Sequence, residues 1–256
     1  MTTVDLASLQ KMLGALMWAM GRVGGLCIMA PLFGDTVTPK RIQLGIILVL
    51  TMVMAPLAPA TIDPMGADAI AVMINQALIG AAIGFVLKLA FEAVSFGGQL
   101  VAQGMSLGFA ESVDPRGGGS SPTISQFYLL IVTLLFLAMD GHLRLIALLA
   151  DSFHSLPPGG ASIGSNGLYA VVGFAGQLFG GAVRVALPAV TSLLVVNIGF
   201  AAISRSAPAM NLFAVGFPIT ITLGFLALWL SMHSLPGAFE SLQTSAWSLM
   251  HELIGG

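Results

Sequence analysis

The chain has 256 residues, of which 57% are hydrophobic and only 8% charged, with a formal net charge of -2; a soluble domain carries about a quarter charged residues. That balance describes an integral membrane protein and excludes a disordered chain, which needs low hydrophobicity and high net charge. Nine Lys and Arg are scattered against eleven Asp and Glu, so no nucleic-acid partner is expected, and the single cysteine, Cys27, excludes an intramolecular disulfide or a cysteine-rich metal site.

A helix crossing the hydrocarbon of a bilayer needs roughly 20 mostly apolar residues. Six such runs follow one another. The first spans Leu13 to Phe33, interrupted by Arg22 and ended by Pro31 and Gly34-Asp35-Thr36. The second, Ile42 to Leu57, starts after Pro39-Lys40-Arg41 and stops at Pro56 and Pro59, which cannot continue a helix. The third spans Ala69 to Phe96. The fourth, Ile124 to Leu149, carries Asp140-Gly141-His142 inside it, which predicts two half-helices. The fifth, Leu168 to Ile203, is too long for one crossing and has Pro188 at its middle, which predicts a kinked helix or a hairpin. The sixth is Phe213 to Met232, and Pro236-Gly237 then leads into a short C-terminal segment within 236–256. The expected fold class is therefore an all-α integral membrane protein, one membrane domain over 1–256, lipid among its contacts. No cleavable signal peptide is expected, because Asp5 precedes the first apolar run and no basic n-region is present. Basic residues in short loops favour the side carrying Lys40, Arg41, Arg116 and Arg205 as cytoplasmic, over the side with Lys11 and Arg144.

Arg22, Lys88, Glu92, Asp140, Arg144, Arg184 and Arg205 sit in or beside the apolar runs. A charge at a helix centre costs roughly 2.5–3.5 kcal/mol on insertion scales, so each wants a partner. Lys88 and Glu92, and Asp140 and Arg144, are four apart and suited to pair along one helix face. Arg22 and Arg184 lack such a neighbour and either snorkel to an interface or meet acids on other subunits. Gly21 and Gly25, Gly80 and Gly84, and Gly176 and Gly180 form GxxxG pairs, a spacing that lets helix backbones approach closely.

Gly104-Met-Ser-Leu-Gly108 reads GxSxG, which in a membrane chain raises an intramembrane serine protease with Ser106 as nucleophile. The strand, turn and helix of a soluble hydrolase are missing, however, and His233 is followed by Ser234-Leu235-Pro236, which breaks a helix. His251-Glu252 lacks room for the second histidine of HExxH. His142 and His154, with Asp140 and Asp151, suit helix ends at interface water better than a metal site, and no metal or cofactor is expected. The segment from Gln103 to Pro122 differs from everything around it: it is rich in Gly and Ser, yet carries apolar Met105, Leu107, Phe109 and Val113, with Gly117, Gly118 and Gly119 giving it mobility. A plug or re-entrant loop between the third and fourth hydrophobic segments fits better than a linker, since non-helical backbone at membrane depth must line a cavity or be covered by protein.

These motifs, taken in order, resemble the FliR family of flagellar type III export-gate proteins from end to end. The resemblance is carried by Arg22, Ala30-Pro31-Leu32-Phe33-Gly34 and Pro39-Lys40-Arg41, then Gly80 to Gly84-Phe85, Gly104 to Ala110 with Val113-Asp114-Pro115, Gly141-His142, and Asp151 to Pro157. Ala186-Leu187-Pro188, Asn197, Arg205, Ala207-Pro208, Asn211, Phe213 and Gly216-Phe217-Pro218 complete it. The resemblance implies a non-enzymatic pore subunit of bent helical hairpins in the bacterial inner membrane and flagellar basal body. It implies FliP-like and FliQ-like partners, an FlhB-like neighbour, and unfolded flagellar proteins as cargo. It further implies a plug over Gly104 to Pro122, with Phe109 at the constriction. Ser112 stands where relatives often have a large apolar residue, and Asp140 where asparagine is usual. The homologous gate subunit of a virulence-type injection system is the nearest alternative.

Overall fold

The computed structural model describes residues 6–34, 39–58, 62–107, 123–160, 162–206 and 212–255. Among them the chain forms eight α-helices: α1 (Leu6–Met29), α2 (Lys40–Met54), α3 (Ala69–Gly104), α4 (Thr123–Ala138), α5 (Gly141–Ser155), α6 (Ser165–Ser206), α7 (Leu212–Ser231) and α8 (Leu235–Gly255). No strand occurs among the described residues. Four helices are long and apolar enough to cross a membrane, and six spans result if each of two bent pairs counts as one.

Prolines and left-handed residues punctuate the helices. Pro31 follows the end of α1, Pro39 precedes α2, and a 3-10 turn containing Pro56 closes α2. The break between α4 and α5 is Met139-Asp140, where Asp140 takes φ 54 and the two helices bend by 66°. Asp, like Asn, visits the left-handed region more readily than most residues because its short polar side chain bonds locally, so this position accepts either. A side chain at Gly141 would run into the ring of Phe136, which is why the residue after the break is glycine. The two half-helices expected from the sequence are thus present.

Three boundaries differ from expectation. α3 continues past Phe96 to Gly104, 36 residues in all. Its Gly97 and Gly98 are held in the helix by close packing, the first against Ala182 and Val185, the second against Ile124 and Ser125. Of the kinked helix or hairpin expected for the fifth segment, the hairpin is absent: α6 is one helix of 42 residues with Pro188 inside it, reaching beyond 168–203 at both ends. Thr191 donates to the carbonyl of Leu187 and Ser192 to that of Pro188, so hydroxyls supply extra donors around the proline. α8 begins at Leu235, before Pro236, because proline in a first helical turn withholds only an N–H that has no partner there. α7 and α8 bend by 57° at the break between them.

The chain divides into two compact units: residues Met1–Leu89, Phe136–Phe174 and Ser245–Gly256 form one, and Ala90–Leu135 with Ala175–Thr244 the other. The first has a core of Trp18, Val23, Leu26, Ile79, Ile83, Leu87 and Phe153, all buried. In the second, Phe91 meets Phe239 edge-on with centroids 5.5 Å apart, and Tyr128 and Ser231 share a buried hydroxyl hydrogen bond of 3.1 Å. Large apolar side chains also face outward along α2, α6 and α7, as membrane lipid or a partner subunit permits.

Candidate functional site

Two features stand out, one in each unit. The first is Arg22, fully buried on α1. Its Nε donates to Gln76 Oε1 of α3 at 2.8 Å. Its Nη1 donates to the carbonyl of Ser152 at 2.5 Å and to Ser152 Oγ at 3.0 Å, and Nη2 donates to the carbonyl of Leu156 at 2.5 Å. The guanidinium lies over the ring of Phe153, 4.2 Å from its centroid. Ser152 is in the last turn of α5 and Leu156 is its C-cap. The last four carbonyls of a helix have no partner within it and carry the negative end of its dipole. Arg22 therefore neither snorkels nor pairs with an acid of another subunit: it caps the C-terminus of α5 from α1. The planar fork of arginine suits the task, since it places several donors on separate acceptors at once.

Glycines set that reach. Gly21 and Gly25 flank Arg22, and Gly80 and Gly84 face them from α3. A Cβ at Gly80 would run into the carbonyl of Arg22, and one at Gly25 into that of Ala77. A Cβ on Gly84 would sit 2.7 Å from the carbonyl of Leu26, and one on Gly21 would sit 3.3 Å from Cβ of Gln76. Two of the GxxxG pairs thus mesh with each other, and the resulting backbone approach brings Gln76 to Arg22. The cage residues Gln76, Ser152, Phe153 and Leu156 were not singled out from the sequence for this role, and most of the acceptor set is backbone.

The second feature is the start of the 103–122 segment. Leu107 donates its N–H to the carbonyl of Ala102, and Ser106 to that of Gln103, with Ser106 at φ 62. This is a Schellman motif with serine in the left-handed position usually taken by glycine. Met105 is fully buried, and a side chain at Gly224 of α7 would collide with it, so Met105 occupies the notch that this glycine leaves. Leu107 is half-buried. Ser106 itself is exposed, and no hydrogen bond joins it to a histidine among the described residues; His233 stacks edge-on with Trp229, and His251 Nδ1 lies 2.8 Å from the carbonyl of Trp247. The GxSxG string is here a helix end. Phe109, Val113, Asp114, Pro115, Gly117, Gly118 and Gly119 lie outside the described residues.

The remaining charges are distributed singly. Lys88 and Glu92 are both exposed on α3, and no ion pair joins them, or Asp140 to Arg144, among the described residues. Arg144 instead sits over Trp247, 5.2 Å from the ring centroid, a cation–π distance. Arg184 is exposed, with Nη1 3.5 Å from Ser241 Oγ, and Arg205 is exposed in the last turn of α6, where a cation complements the helix dipole. Among the described residues no three His, Cys, Asp or Glu come together to hold a metal.

Four long apolar helices, two bent helix pairs, a glycine-meshed seam and a caged arginine define a multi-pass helical membrane protein. The chain belongs to the bacterial export proteins, family 1, whose model matches residues 13–246. It is 34% identical to the flagellar biosynthetic protein FliR of Pectobacterium carotovorum subsp. carotovorum and 34% identical to that of Escherichia coli (strain K12), in each case over 93% of this chain and 91% of the relative. The FliR of Caulobacter vibrioides is 30% identical over 87% of this chain and 89% of its own length.

Proposed function

We propose that this chain is a non-enzymatic subunit of a flagellar type III protein export gate, in the bacterial inner membrane at the flagellar basal body. The observation that carries the reading is the family match over nearly the whole chain, with relatives named as flagellar biosynthetic proteins. Those names favour the flagellar system over a virulence-type one. In this reading the chain assembles with FliP-like and FliQ-like subunits beside an FlhB-like protein, and unfolded flagellar proteins pass through the channel they form.

The segment 103–122 acts in that channel as a plug. A pore wide enough for an extended polypeptide leaks ions unless apolar side chains dewet it. Leu107 and Phe109 would supply that seal, Val113-Asp114-Pro115 would shape the loop, and Gly117 to Gly119 would let substrate push it aside. Met105, buried in the notch at Gly224, and the Schellman end at Ser106 support the reading by giving such a loop a fixed root. Arg22 serves packing within the chain, and the exposed charges Lys88, Glu92, Asp140, Arg144, Arg184 and Arg205 serve packing against neighbouring subunits.

The test is purification of tagged chain from detergent-solubilised membranes, with mass spectrometry of its companions and the native mass of the complex. Recovery with FliP-like and FliQ-like subunits in one large assembly is expected; a monomer without them overturns the reading. For the plug, Phe109→Ala or deletion of Gly117 to Gly119 is expected to make membranes leak ions while assembly persists, and Ser106→Ala to leave export unchanged.

A further inference from the structure

We propose that a groove in the unit containing α1 docks an apolar segment of another polypeptide that carries a basic side chain. Two adjoining cavities of about 580 and 240 Å³ share Ser162 and Ile163 as lining. The larger is lined by Asp68, Asn75 and Leu78 at the start of α3 and by Leu168 of α6; the smaller is lined by Leu156, Asn166 and Glu252 of α8. The larger volume alone falls within the range of about 300–1,000 Å³ typical of binding clefts.

Three observations identify the occupant. The floor is apolar, and Ile70 and Ile74 beside it are 74% and 55% exposed, so an apolar surface is presented at the start of α3. The charge is of one sign: each cavity has one carboxylate in its lining, Asp68 in the larger and Glu252 in the smaller, and no Lys, Arg or His lines either. Neither carboxylate has an ion-pair partner among the described residues. The wall is also fixed in place. Ile62 packs where a side chain on Gly159 would stand, Gly159 has φ 79, and Leu156, which lines the smaller cavity, is held through its carbonyl by Arg22.

An apolar segment with a Lys or Arg answers both parts of this surface at once. Its apolar side chains cover Leu78, Ile163 and Leu168, while its cation approaches Asp68 or Glu252, aided by the amide of Asn75. An anionic phospholipid fits less well, because its phosphate would arrive beside two carboxylates with no cation to offer them, and an amine-bearing lipid is separated by the adduct that the test maps. None of the described residues of the 103–122 segment lines either cavity, and the proposal does not depend on whether that segment plugs a channel.

The test places a photo-reactive benzoylphenylalanine at Leu168 or Leu78 of the full chain in intact membranes, with adducts mapped by mass spectrometry. The expected adduct lies on an apolar segment of another polypeptide, with a Lys or Arg within about four residues of the attachment point, one helical turn. Its yield should fall about tenfold or more in Asp68→Lys/Glu252→Lys, because like charges then face each other, and recover when the mapped basic residue is changed to Glu. Both carboxylates are exposed, so the fold tolerates the change, and Asp68→Asn/Glu252→Gln should give a smaller loss. An adduct only on lipid, on a second copy or on this chain itself, no adduct, or a yield indifferent to charge reversal overturns the proposal. Native mass of the assembly, recorded on the unsubstituted chain, reports separately on the export reading.

Discussion

The seam between α1 and α3 and the outer face of α6 carry the same glycine motif and use it differently. At the seam, Gly21, Gly25, Gly80 and Gly84 are spent on contact, to the point where a Cβ at Gly80 would collide with a backbone carbonyl. On α6, Gly173, Gly176 and Gly180 have nothing within 4 Å where a Cβ would stand, and the adjoining Val172 and Phe179 are 70% and 63% exposed. The spacing of small residues therefore licenses close approach without supplying the partner. What distinguishes the seam is a second set of glycines at matching height and a polar lock, Arg22 with Gln76, that fixes the register.

That contrast is open to breakage, and the lock is where the largest effect lies. Arg22→Ala takes their donors from the buried carbonyl of Leu156 and Oε1 of Gln76, leaves the Ser152 carbonyl only the N–H of Leu156, and should destabilise the detergent-purified protein by about 3 kcal/mol or more. Arg22→Lys keeps the charge but not the fork and should fall in between; a lysine variant with unaltered thermal unfolding would mean that charge alone caps α5. Next comes Gly80→Ala, which forces α1 and α3 apart and should cost about 1–3 kcal/mol in the same measurement.

The matching change on the other side of the comparison, Gly176→Ala, is expected to stabilise the isolated chain by about 0.5–1 kcal/mol, because alanine loses less backbone freedom in a helix. If both glycine substitutions were equally harmful in the isolated chain, the distinction between meshed and bare glycines would be lost. In the assembled gate a bulkier Gly180→Leu sharpens it further: reduced recovery of companion subunits would place one of them on this face. Smallest is Ser106→Gly, which relieves a left-handed serine and should raise stability by about 0.5–1 kcal/mol with export unaltered, read from the shift in unfolding midpoint and from a motility assay.

How far the chain could be read before folding depended on where the information sat. Asp140-Gly141 announced the break between α4 and α5 because a left-handed position needs residue types that show up by eye. Pro188 left a kinked helix and a hairpin both open, and it is the helix that forms: α6 continues through it with hydroxyls of Thr191 and Ser192 bonded to nearby carbonyls. The seam was half legible, since three GxxxG pairs looked alike and only two find each other. Arg22 was visible as an anomaly, but its acceptors were not, because carbonyls at a helix end are offered by every sequence and only the fold brings these to α1. Arg144 pairs with a ring 103 positions away rather than with the acid four residues before it, a choice that helix periodicity cannot foresee (247 − 144 = 103).

The caged arginine also bears on how the chain is made. Arg22 leaves the ribosome on α1 ahead of its partners, which stand 54, 130 and 134 positions later in the chain. At about 5–20 residues per second of synthesis, α1 carries an uncompensated cation for on the order of 10 s before α5 has been made. During that interval its insertion is opposed by the cost of a bare charge in hydrocarbon, so α1 is poised to wait at the membrane surface or in the translocation machinery until the later helices arrive. A span synthesised before α5 would then settle only after it, and any mutation that delays or weakens α5 would show itself as a defect in α1.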